Sequence, residues 1–248
     1  MTTTPASTSM HSCSLQADDT APVTEADVCA LLRYVDDQIG DGWTEWPGGR
    51  PGEIEVALVD AVLSIRARYG RAARDGSRAT GVHRAVAAYR ELRAPTEVLD
   101  DLRALASFDW REVEKAVGRQ VTSGVPKAAA IVEAAQRLVR CGVTSSCQLN
   151  LEDDDQRRAY TGVTGLGWVT WEYFGMLLGR PGVKADRWVI AAVADAVARP
   201  VSPYEARDVV LAAAAARGDS STRLEHALWA HRRRAALPTT IAAETSGD

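Results

Sequence analysis

Cysteine is scarce in this chain and badly placed for metal chemistry. Four occur in 248 residues (Cys13, Cys29, Cys141 and Cys147), with no C-x-x-C spacing and no histidine near enough to complete a zinc set. That excludes a zinc ribbon and a disulfide scaffold, and fits buried or incidental thiols in a reducing cytoplasm. No apolar run approaches the ~18 residues that a membrane-spanning helix needs. The N-terminus lacks the basic stretch and apolar core of a secretory signal. An excess of positive charge is also missing. The net charge is −4, so the whole surface is not that of a nucleic-acid-coating protein, although a local patch remains open. Strand-like alternation and repeats of fixed period are absent as well.

What is present reads as helix. Residues 1–22 and 238–248 are rich in small polar residues and alanine and are expected to be disordered tails around a helical region at 23–237. Thr24 is placed to cap a helix carrying Val28, Leu31, Leu32 and Val35 on one face, ending near Gly40. Asp41 to Gly52 holds Gly, Pro, Trp43 and Trp46 and reads as a loop in which both tryptophans are packing anchors. Ile54 to Tyr69 is apolar nearly all round, which marks a central buried helix. Further helices are expected at about 78–92, 96–106, 109–117, 126–141, 153–161 and 168–178. Asp186, Ser202-Pro203 and Thr222 with Glu225 carry the start signals of three more. Roughly ten helices and no strand make the expected fold all-α.

The most informative segment is Val163-Thr164-Gly165-Leu166-Gly167-Trp168-Val169-Thr170, between two short helices. Two glycines around one apolar residue permit a tight turn and leave backbone N–H groups uncovered where the second helix starts. Such amides, with the helix dipole behind them, bind a phosphate oxygen without reading sequence. About twenty residues further on, in Gly182-Val183-Lys184-Ala185-Asp186-Arg187-Trp188-Val189, Asp186 stands where the next helix begins. It reads equally as an N-cap and as a carboxylate able to stabilise a developing oxocarbenium ion or orient a water.

Gly165-Leu166-Gly167 followed by Asp186 resembles the hairpin and catalytic aspartate of the helix-hairpin-helix DNA glycosylase superfamily, the endonuclease III and adenine glycosylase group. Ser123-Gly124-Val125-Pro126-Lys127-Ala128 is similar to that family's segment ending in Lys-Ala, and Glu55 to Ser64 to its helix ending in a Leu-Ser pair, here Leu63-Ser64. The resemblance spans about residues 54–200 in order. It implies two helical subdomains with a cleft between them and a helix-hairpin-helix at about 153–178. It also implies duplex DNA as partner and base excision as activity. Val169 stands where bifunctional members carry a lysine, which implies a monofunctional glycosylase without a Schiff-base step. Neither metal nor cofactor is expected, because the C-terminal cysteines of the iron–sulfur members are missing. Ile65-Arg66-Ala67-Arg68 and Trp171 are further departures.

Site residues follow from this reading. Asp186 is the expected catalytic group. Gly165, Gly167, Trp168, Val169, Lys127, Arg180, Lys184 and Arg187 are the expected contacts to the DNA backbone. From Arg157 to Arg234 there are twelve Lys and Arg against seven Asp and Glu, a basic stretch that suits a DNA-facing surface. Glu152-Asp153-Asp154-Asp155 reads as a helix-start cluster rather than a metal site. Ser64 reads as bonded back to a carbonyl, not as a nucleophile. Glu172 has a position from which it can face the cleft. Trp168 and Trp171 read as core, with base stacking as the alternative. Two other readings stay open: a DNA-binding protein without base excision, and a helical interaction module whose glycine turn only connects.

Overall fold

The computed structural model describes residues 22–236 apart from 44–45, 47, 75 and 95–97; both expected tails therefore lie outside the described residues, save Pro22. Among the described residues there are eleven α-helices: α1 Glu25–Gln38, α2 Ile54–Leu63, α3 Gly81–Arg93, α4 Leu102–Ala106, α5 Trp110–Val117, α6 Lys127–Arg140, α7 Asp154–Thr161, α8 Trp168–Leu177, α9 Arg187–Val197, α10 Pro203–Arg217 and α11 Ser221–Ala235. One antiparallel pair, β1 Val121–Thr122 with β2 Val125–Pro126, and a short 3-10 turn at Ser146–Gln148 complete the elements. The chain is mostly helical, as its periodicity requires. None of the helices is long and apolar enough to cross a membrane.

The starts are chemically marked. Thr24, Asp153 and Ser202 each accept backbone N–H groups from the first turn they cap, and Pro203 occupies the first position of α10. Two expectations are corrected. The helix at Ile54 stops at Leu63, not Tyr69, and the chain turns at Arg66, which has φ +49°. The Lys127 ammonium donates to the carbonyls of Leu63 and Ile65 that this early stop releases, at 2.9 and 2.7 Å. Thr222 and Glu225 do not cap α11. They lie inside it and are buried, because Ser220 is the residue that precedes the first turn.

Two hydrophobic cores form. The first is built on α2, which is buried along its whole length, with α3 to α8 packed around it. Within it the buried Glu55 carboxylate receives the Tyr89 hydroxyl at 2.6 Å and Arg93 Nε at 2.7 Å, which satisfies a charge that burial alone would make costly. The second core joins Leu31 and Val35 of α1 to Val183 and to apolar residues of α9, α10 and α11. The first and last helices thus share one core. The connection from α8 to α9, residues 178–186, runs from one core to the other.

Candidate nucleic-acid interface and polar junction

The glycine turn is built from two glycines with different duties. Gly165 has φ +86°, and a Cβ there would lie 2.6 Å from Thr122 Cγ2, so both backbone and packing demand glycine. Thr122, on β1, donates its hydroxyl to the Gly165 carbonyl at 3.1 Å and ties the β1–β2 pair to the turn. Leu166 is buried beneath it, 7% exposed, with Val163. Gly167 is exposed and has φ −137°, and a Cβ added there meets nothing within 4 Å. The fold itself does not require glycine at 167. Its N–H is turned to Thr170 Oγ1 at 3.2 Å, while Trp168 and Val169 start α8, where no preceding carbonyl of the helix can receive their N–H groups.

Asp186 is the N-cap of α9, with Oδ1 accepting the Trp188 and Val189 N–H groups at 2.8 and 3.3 Å. It is half-buried and lies within electrostatic reach of Lys184 and Glu225. These three belong to a polar junction between the cores. Lys184 Nζ donates to Ser64 Oγ at 3.1 Å and sits 3.5 Å from the centre of the Tyr173 ring. Tyr173 donates to the Tyr69 hydroxyl at 2.9 Å, and Tyr69 donates to Asp60, which Arg50 approaches at 3.4 Å. Ser64 is bonded back to the Ala61 carbonyl at 2.7 Å, as expected of it. His83 meets the Tyr69 ring edge-on.

Burial dominates the ionisation of this junction. It pushes the Glu225 carboxyl up to about 8, with the negative Asp186 adding to the shift and Lys184 opposing it. Burial lowers the Lys184 ammonium, and Asp186, Glu225 and Asp60 hold it up. Burial raises Asp60 against the bonds from Tyr69 and the charges of Arg50 and Lys184. Asp60, Tyr69, Tyr173, Glu225 and His83 were not among the residues expected from sequence. The signal was there for Asp60, a lone carboxylate in the middle of a helix that is otherwise almost wholly apolar.

Several of the expected backbone contacts are engaged within the protein. Lys127 is 3% exposed, and its ammonium donates to Leu63, Ile65 and Gln120, closing the end of α2. Arg180 points inward to the carbonyls of Ser146 and Leu149, at 3.4 and 2.5 Å. Lys184 faces the junction. Arg187 remains exposed, its guanidinium 4.4 Å from the centre of the Trp188 ring. The basic stretch is largely neutralised in space, since Arg157, Arg158, Arg199, Arg207, Arg217, Arg223 and Arg232 all pair with carboxylates. Of the two alternatives expected for the thiols, buried or incidental, Cys29, Cys141 and Cys147 are not buried: they are exposed and free. The acidic run at 152–155 supplies the Asp153 cap, and no metal-holding cluster occurs among the described residues.

In class, the chain is a helical protein with two cores, a glycine turn before one helix start and a carboxylate cap at another, beside a buried polar junction. Residues 30–233 match DUF8548, a domain of unknown function, and the chain belongs to that family. No curated protein matches its sequence.

Proposed function

We propose that this chain is a helix-hairpin-helix protein of the DNA glycosylase type, a monofunctional enzyme that hydrolyses the N-glycosidic bond of a damaged or modified base in duplex DNA. In this reading α7, the turn through Gly165 and Gly167, and α8 form the hairpin. The start of α8, with the N–H groups of Trp168 and Val169, grips a phosphate, and the dipole of the helix favours the anion. The observation that carries the reading is Gly167. A glycine stands there although neither φ nor packing asks for one, at the point where a bare backbone lets a phosphate approach.

The duplex is held by amides more than by cations, in keeping with the paired state of most arginines in the basic stretch. The extruded base enters between the two cores, the cleft of this reading. Asp186, fixed by two amides of α9, faces the sugar of that nucleotide. As the base departs, its carboxylate stabilises the positive charge growing on C1′ and orients the water that adds there. The base leaves with the bonding electrons and is protonated; the water oxygen stays on C1′. Val169 supplies no amine, so the reaction ends at an abasic site.

The test is incubation with a panel of damaged duplexes followed by hot alkali, which breaks the strand at abasic sites. Strand breaks from the wild type and none from Asp186→Asn are expected. Full activity in Asp186→Asn, or no breaks with any duplex, contradicts the mechanism. A second reading, DNA binding without excision, is favoured by the way Lys184 fills the junction beside Asp186 on Ser64 and Tyr173. It predicts salt-sensitive binding and no product.

A further inference from the structure

A second feature adjoins the glycine turn on a neighbouring face of α8. A cleft of about 640 Å3 opens between α7, α8 and α10, within the size range of small-ligand sites. One side of it is aromatic, while Glu152, Arg157, Glu172 and Arg207 make the rest of the lining largely charged. Trp168, the first residue of α8, stacks on Tyr204 of α10, with ring centres 4.2 Å apart and planes 15° from parallel. Tyr204 is 37% exposed, one of three large hydrophobic residues on the surface among the described residues. Trp171 and Leu151 also line the cleft, and Trp171 is fixed by its Nε1–H bond to the Leu151 carbonyl at 3.3 Å.

A polar pair joins the aromatic wall. Arg207 meets Glu172 at 3.0 Å. Glu172 is mostly buried, with its side chain 17% exposed, and burial raises its pKa despite Arg207. The lining therefore combines a flat π surface with a carboxylate and a planar guanidinium, which bridges Glu172 and Asp208 and would share its N–H groups with a bound base. That combination is complementary to a nucleobase: a broad face for the rings, an acceptor for its N–H groups and donors for its carbonyl or ring nitrogen. A guanine edge, with two adjacent N–H donors, matches a carboxylate best.

We propose that this cleft is a base-binding site, which takes an unpaired purine from the strand held at the Gly165–Gly167 turn. The purine lies against the Trp168–Tyr204 pair, with its edge to Glu172 and Arg207. The inference rests on the DNA-binding reading above, since the strand reaches the cleft from a phosphate held by the N–H groups of Trp168 and Val169 at the start of α8. The site is separate from Asp186 and performs no chemistry. It captures a base that is out of the stack, which gives the protein a preference for interrupted duplexes over intact ones.

The experiment compares two labelled duplexes by fluorescence anisotropy, one fully paired and one carrying a single unpaired guanine. The wild type is expected to bind the interrupted duplex about tenfold more tightly, the scale of one base–aromatic stack. Tyr204→Ala is expected to lose that preference and keep its affinity for the paired duplex, which also shows that the variant is folded. Tyr204→Phe keeps the preference. Glu172→Gln weakens it for unpaired guanine more than for unpaired thymine. Equal binding of both duplexes by the wild type overturns the base site while leaving DNA binding intact. A Tyr204→Ala variant that keeps the preference, or that loses both affinities while Tyr204→Phe keeps both, also overturns it. No binding of either duplex removes the DNA reading itself.

Discussion

Asp186 caps α9 and, in the proposed function, also serves catalysis with the same carboxylate; substitution separates the two. Asparagine caps a helix about as well as aspartate, whereas alanine forfeits roughly 1 kcal/mol. Asp186→Asn is therefore expected to unfold in urea at nearly the wild-type midpoint and to lack base excision, while Asp186→Ala loses both stability and activity. A large drop in the midpoint for Asp186→Asn contradicts the capping account. Glu225 makes a pH prediction. Its carboxyl is raised from 4.5 to about 8, so the folded chain keeps a proton that the unfolded chain releases between those values. Its stabilising contribution is complete below about pH 4.5 and is lost as the pH rises to about 8. Lys184 works the other way at higher pH, because burial lowers its pKa and the folded chain gives up that proton first. Across the Glu225 window, melting temperatures of Glu225→Gln should fall less with rising pH than those of the wild type. Parallel curves for the two proteins contradict the assignment.

At the scale of elements, the two glycines of the turn part company. Gly165→Ala places a Cβ against Thr122 at positive φ and is expected to cost more than about 1 kcal/mol. Gly167→Ala puts a methyl into open space and should cost less than about 1 kcal/mol, the difference between glycine and alanine as an N-cap. Equal losses measured by denaturant titration contradict this division of duty. Both glycines were visible in the sequence, but which one the fold needs was not, since that depends on Thr122 arriving from the β1–β2 pair. Helix starts were the most legible parts, because Thr24, Asp153, Asp186 and Ser202 act on amides two or three residues away. The end of α2 was less so. Apolar residues run on to Ile65, yet the helix stops where Lys127, from a distant segment, binds the released carbonyls. Glu225 misleads for a related reason. Its spacing from Thr222 suits a capping box, while its surroundings, Lys184 and Asp186, come from the connection between α8 and α9.

For the whole molecule, the mainly helical architecture follows from local periodicity and caps, and that much was legible. The partnership of α1 with α9, α10 and α11 was not, because an apolar face shows that a helix is buried but not against which other helix. Charge was the least legible property. A stretch with a positive balance in sequence lies paired with carboxylates in space, Arg217 with Asp36 and Arg199 with Asp27 among them. If the proposed function holds, the protein engages few phosphates, and its affinity for DNA should fall with salt only gently. The most direct measurement is the affinity for duplex DNA across a series of salt concentrations, for the wild type and for Gly167→Asp, which puts a carboxylate at the start of α8. Binding by the wild type with a slope of a few phosphates, and its loss in a Gly167→Asp protein that melts like the wild type, is the predicted result. Failure of the wild type to bind at the lowest salt, or undiminished binding by Gly167→Asp, would contradict it.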